Sequence, residues 1–108
     1  MTTVGAEGWR EVVQAAFELG QALRARGWRV ATAESCTGGA IACALTEVGG
    51  SSEWFERGFV TYADEAKVGL LGVSPGTLAA TGAVSEAIAA QMALGALAHS
   101  RAQLALAV

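Results

Sequence analysis

A chain of 108 residues makes one domain at most, and it is long enough to bury an apolar core without disulfides or metal. It is 53% hydrophobic but only 6% aromatic, with 14 glycines and a mean hydropathy of +0.41, which excludes a disordered chain and suggests helices packed closely on a buried sheet. A net charge of −3, a pI near 5.0 and no basic cluster beyond the spaced Arg24, Arg26 and Arg29 argue against a nucleic-acid partner.

The N-terminus lacks a basic, apolar, cleavable pattern, so no signal peptide is expected. Apolar residues recur at Trp9, Val12, Val13, Ala16, Phe17, Leu19 and Leu23, which predicts a helix over residues 7–26 that stops at Gly27. Residues 28–33 read as a strand and 36–48 as a second helix, followed by a Gly49-Gly50-Ser51-Ser52 loop. The β-branched and aromatic stretch 58–62 predicts a second strand. Asp64 then caps a short helix through 71, and Ser74-Pro75 starts another to about residue 80, with serine as cap and proline at the first helical position. Residues 85–100 form a long alanine-rich helix with Ile88, Met92, Leu94 and Leu97 on its apolar positions. A buried-type strand is expected over 103–108. The uncharged run 68–85 is broken by turns and is no membrane span.

Alternating strands and helices predict an α/β sheet covered by helices. A final apolar strand with no helix after it leaves one face or edge poorly covered, so self-association or a longer domain is expected. Cys36 and Cys43 stand seven apart on one expected helix, about 10.5 Å along its axis, too far for a disulfide. Reduced thiols point to a cytoplasmic protein.

The segment Arg29-Val30-Ala31-Thr32-Ala33-Glu34-Ser35-Cys36-Thr37-Gly38-Gly39 carries the outline of a strand, a tight turn and a helix start. Such a junction gathers backbone N–H groups and the positive end of a helix dipole at one spot. Ser35 there is either a nucleophile with oxyanion donors beside it or only an N-cap. A nucleophilic serine needs a base at neutral pH. His99 is the only histidine, far in sequence near a helix end, and a satisfied or solvent-facing ring is the simpler reading. No Gly-x-Ser-x-Gly elbow is present, so a Ser–His–acid triad is not expected.

Tyr62 and Lys67 make the better pair. Lys67 is placed in the first turn of a helix, where the dipole disfavours its charged form. On spacing alone, a surface ion pair between Asp64 and Lys67 is the simpler alternative. Cys36 is more simply a small buried thiol than a nucleophile. Gly38 and Gly39 cost about 1 kcal/mol each in a helix, which either ligand approach or close packing on the sheet would explain. Arg57 either meets a phosphate or pairs with Glu53 or Glu56. No set of His, Cys, Asp and Glu has metal-ligand spacing.

Ala33-Glu34-Ser35-Cys36-Thr37-Gly38-Gly39, Gly50-Ser51-Ser52 and Trp54-Phe55-Glu56-Arg57-Gly58-Phe59-Val60-Thr61-Tyr62 resemble the CinA C-terminal domain family. Glu65-Ala66-Lys67, Leu71-Gly72-Val73 and Gly82-Ala83-Val84-Ser85-Glu86 continue the likeness in the same order, over residues 16–108. The resemblance implies a three-layer α/β/α sandwich and deamidation of nicotinamide mononucleotide to nicotinate mononucleotide and ammonia, without metal or cofactor. It implies Ser35 as nucleophile and Tyr62 with Lys67 as its activating pair. It also implies oxyanion donors around Thr37, Gly38 and Gly39.

Two departures stand out. The chain has Thr61-Tyr62-Ala63-Asp64-Glu65-Ala66-Lys67 where the family often reads Thr-Tyr-Ser-Asn-Glu-Ala-Lys. The family's Thr-Gly-Ile-Ala-Gly-Pro loop after the last strand is absent, so a domain truncated at its C-terminal end is expected over 1–108. The alternative function is a non-catalytic nucleotide-binding or assembly module that retains the fold. A homo-oligomer with no nucleic-acid or membrane partner completes the expectation.

Overall fold

The structure, a computed structural model, describes residues 5–108. Residues 1–4, which begin both the segment read for a leader and the expected domain, lie outside that range. Helix α1 (Ala6–Arg26) ends where expected: Gly27 takes φ 66°, and its N–H donates to the carbonyls of Arg24 and Leu23. Strand β1 (Val30–Glu34) follows and is buried along its whole length. Next come helix α2 (Ala40–Glu47), a 3-10 turn at Ser51–Glu53 and strand β2 (Phe55–Val60). Helices α3 (Asp64–Leu71), α4 (Pro75–Thr81) and α5 (Glu86–Ala98) then lead to strand β3 (Leu104–Ala107).

The sheet is wholly parallel, in the order β2-β1-β3. The crossover from β1 to β2 runs one way along the sheet, and the crossover from β2 to β3 runs back past β1. Parallel crossovers keep a right hand, so reversing direction puts the connecting helices on opposite faces. One face packs Val30, Leu104 and Leu106 against Ala16 and Leu23 of α1, Leu45 of α2 and Trp54. The other packs Ala31, Ala33 and Ala105 against Leu71 of α3 and Ile88, Met92 and Ala96 of α5. Alternation along each strand serves both cores, giving the expected three layers.

Several boundaries differ from those expected. Helix α2 starts at Ala40, because Gly38 (φ 60°) and Gly39 (φ 106°) are left-handed turn residues. Cys36 therefore lies outside the helix that holds Cys43; both are exposed free thiols. Strand β2 begins at Phe55, with an irregularity opposite Val30/Ala31, and ends at Val60, before Tyr62. Ala63, not Asp64, occupies the N-cap of α3. Ser74 and Ser85 cap α4 and α5, their hydroxyls accepting from the N–H groups of Thr77 and Ile88 at 3.2 Å each. On α5 the buried stripe is Ile88, Met92, Gly95 and Ala96, while Leu94 stays 66% exposed.

Candidate active site

In open parallel sheets, ligands bind beyond the carboxyl ends of strands where the strand order reverses. Here that point is the end of β1, and the serine turn occupies it. Glu34, the last residue of β1, is 1% exposed. One of its carboxylate oxygens accepts from the Thr37 hydroxyl at 2.6 Å and from the Ile41 N–H at 2.8 Å. The other accepts from the Ala42 N–H at 3.0 Å. Burial of an ionisable group requires such partners, and these also place a carboxylate at the positive end of α2.

Glu34 thus performs the capping work that the sequence left open for Ser35. The Ser35 N–H donates to the Val108 carbonyl at 2.7 Å, and its carbonyl accepts from the Gly38 N–H at 3.1 Å. Its backbone is held on both sides, while its hydroxyl makes no hydrogen bond among the described residues. Of the three expected oxyanion donors, the Gly38 amide is occupied by Ser35. The amides of Thr37 and Gly39, with that of Cys36, carry no hydrogen bond among the described residues. The first amides of α2 are all used, so spare donors come from the turn and not from the helix end.

Beyond the β2 irregularity, residues 57, 59 and 61 share a face with Ala31, Ala33 and Ser35. Thr61 is therefore the neighbour of Ser35 across the ladder, and its N–H donates to the Glu34 carbonyl at 2.8 Å. Its hydroxyl is buried without a partner among the described residues, as is that of Thr32. Tyr62 follows immediately and is 74% exposed.

The Asp64–Lys67 pair considered from spacing forms, at 3.6 Å, but only Asp64 is at the surface: Lys67 is 1% exposed. Its Nζ donates to the backbone carbonyl of Tyr62 at 2.8 Å. This bond ties α3 to the end of β2 and brings Lys67 to the same edge of the sheet as Ser35. No hydrogen bond joins Ser35 to Tyr62 or Lys67 among the described residues.

Ser35 and Cys36 line a cavity of about 360 Å³, walled by Val84, Ser85, Ala89, Met92 and Val108. A larger groove of about 540 Å³ lies between α1 and the end of α2, beside Trp9, Phe17 and Gly49, and holds none of the expected site residues. Of the expected site residues only Ser35 lines the smaller cavity; Thr37, Gly38, Gly39, Tyr62 and Lys67 are not in its wall.

Arg57 does not join this site. Its guanidinium grips Glu56 at 2.7 and 2.9 Å and donates to the His99 carbonyl at 3.2 Å. His99 ends α5, whereas Ser85, Ala89 and Met92 of the same helix wall the cavity, so about 10 Å of helix separates the His99 end from the nearest of them. The Arg57 hydrogen bond is the main reason that the Glu56 carboxyl is held below its ordinary value of 4.5, with burial opposing. His99 turns its Nδ1 to the Gly95 carbonyl at 2.8 Å, a satisfied helix-end ring. Sequence reasoning assigned no role to Glu34 or Thr61. A carboxylate closing a strand otherwise free of charge was a usable signal for the first; the second had none.

A wholly parallel sheet covered by helices on both faces, with a serine turn at its carboxyl edge, defines an α/β domain of three layers. The chain belongs to the CinA C-terminal domain family, whose model matches residues 12–108. It is 54% identical over 98 residues to the nicotinamide-nucleotide amidohydrolase PncC of Escherichia coli K12, covering 91% of this chain and 59% of that protein. A CinA-like protein of Syntrophobacter fumaroxidans is 50% identical over 90 residues, covering 83% of this chain and 21% of that protein. The crystal structure of the competence/damage inducible protein CihA from Agrobacterium tumefaciens superposes with a TM-score of 0.88 at 47% identity, over 99% of this chain and 62% of that one. The chain thus spans about three-fifths of the length of the amidohydrolase it matches.

Proposed function

We propose that this chain is an amidohydrolase domain that hydrolyses the carboxamide of nicotinamide mononucleotide, with Ser35 as nucleophile. The observation that carries the reading is the Ser35 hydroxyl. It stands at the switch point of the sheet, without a hydrogen bond among the described residues, on the lining of a cavity of about 360 Å³. The 54% identity to an amidohydrolase supports the substrate class.

In this mechanism the Ser35 oxygen attacks the carboxamide carbon while its proton passes to the Tyr62–Lys67 pair. The spare amides of the turn, Thr37 and Gly39 with Cys36, hold the oxyanion. Collapse expels ammonia, which carries a proton away, and water then cleaves the acyl-serine to give the carboxylate. Lys67 is the stronger candidate for the proton acceptor, because it is buried and fixed at the same edge while the Tyr62 ring is solvent-facing. Active-site hydrogen bonds are often longer before substrate arrives, so the pair closes on Ser35 in the complex. We place the domain in the cytoplasm and expect it to self-associate; among the described residues no helix is long and apolar enough to cross a membrane.

The test is ammonia release from nicotinamide mononucleotide by this chain and by Ser35→Ala and Lys67→Met. We expect both variants to lose about a thousandfold or more in kcat while remaining folded by circular dichroism. Activity that survives Ser35→Ala overturns the assignment of the nucleophile. Absence of release from the unaltered chain favours a non-catalytic nucleotide-binding module.

A further inference from the structure

The opposite edge of the sheet carries the reverse of the molecule's overall charge. Arg24, Arg26, Arg29, Arg57 and Arg101, five of the seven cations in a chain of net charge −3, gather there with Glu53 and Glu56. A cavity of about 420 Å³ at this edge is lined by Arg24, Arg29, Arg101, Gln103, Trp28 and Glu53. Arg24 meets Glu53 at 3.1 Å, and Glu56 is taken up by the fork of Arg57. Arg29 and Arg101 form no ion pair among the described residues.

These two arginines are held in place through their backbones. The Arg29 N–H donates to the Gln103 Oε1 at 2.8 Å, and Gln103 Nε2 donates to the Arg101 carbonyl at 3.2 Å. The Arg29 carbonyl accepts from the N–H groups of Gln103 and Leu104, at 3.0 and 3.2 Å. The Arg101 N–H donates to Glu56 at 3.2 Å. Neither guanidinium is needed for these bonds, so both are free to meet a ligand. Like charges brought together on a fixed frame repel, and a bound anion relieves that repulsion.

We infer that this cavity is a second binding site, for a phosphoryl anion, separate from the Ser35 cavity. Three arginines against one glutamate in its lining leave two positive charges, the complement of a phosphate dianion or of one end of a diphosphate. Guanidinium forks match phosphate oxygens in geometry as well as charge. Arg26 covers one face of the Trp28 ring, at 5.1 Å from its centroid, and the phosphoryl group is the part that the arginines recognise.

The experiment titrates pyrophosphate, and separately ADP, into this chain at low salt, by calorimetry and by tryptophan fluorescence. The comparison proteins are the Arg29→Gln/Arg101→Gln double variant and Arg10→Glu, which removes the same charge elsewhere. We expect saturable binding that weakens about thirtyfold or more in the double variant and about twofold or less in Arg10→Glu. It should also weaken as salt rises. Equal affinities for the two ligands mark the phosphoryl group alone as the ligand, whereas tighter ADP binding, still lost in the double variant, marks a nucleotide. Absence of binding up to about 10 mM, equal loss in both variants, or tighter binding of a short DNA duplex overturns the site.

Discussion

Glu34 organises the residues around Ser35, since one buried carboxylate holds Thr37 and the first amides of α2 together. Replacing it with glutamine turns one acceptor into a donor that faces an N–H group. Glu34→Gln should therefore cost about 2 kcal/mol of stability, measured by urea unfolding. It should also lower kcat more than it raises KM, because the turn and not the cavity wall is loosened. Glu56 gives a pH test. Its carboxyl is held below 4.5 in the folded state, chiefly by the Arg57 hydrogen bond, so the unfolded chain binds the proton first. The resulting stability is present above about pH 4.5 and lost as pH falls through the lower folded value. Unfolding of Glu56→Gln followed from pH 6 to pH 3 should accordingly show a shallower acid limb than that of the parent, about one carboxyl less.

Among the elements, α3 and α5 are set by how closely they cross. A Cβ added at Gly95 would stand 2.0 Å from the Leu71 carbonyl oxygen, which is backbone and cannot swing aside. Gly95→Ala gains about 1 kcal/mol in helix propensity yet should lose about 3 kcal/mol by forcing the helices apart. Thermal unfolding reads the net loss. At Gly20 the added carbon would meet the Trp54 ring at 2.5 Å, but a side chain can shift, so Gly20→Ala should cost less than Gly95→Ala. The stop at Gly27 and the cap at Ser74 were legible because each acts within one turn of chain. The start of α2 was not, since a serine in front of a helix reads as a cap until the buried carboxylate before it is seen in place.

For the molecule as a whole, the order β2-β1-β3 leaves β3 on an edge. The N–H groups of Leu104 and Val108 point to β1, so by alternation those of Ala105 and Ala107 point outward. An apolar edge of this kind invites pairing with a second copy. Sedimentation velocity should show a dimer or larger species, and Ala105→Pro, which removes an outward donor and spares the inner ladder, should shift it toward monomer. A profile of monomer alone would count against that association.

The order of elements, the helix stops and the family likeness follow from local signals of composition, periodicity and capping, so the amino-acid sequence by itself determined the α/β class and pointed to Ser35, Tyr62 and Lys67. Only the tertiary structure decided what surrounds them. Burial of Lys67, the capping role of Glu34, the orphan hydroxyl of Thr61 and the removal of Arg57 to the far edge all depend on strands brought side by side by long crossovers. Register and burial are properties of paired segments, and a single segment read alone does not carry them.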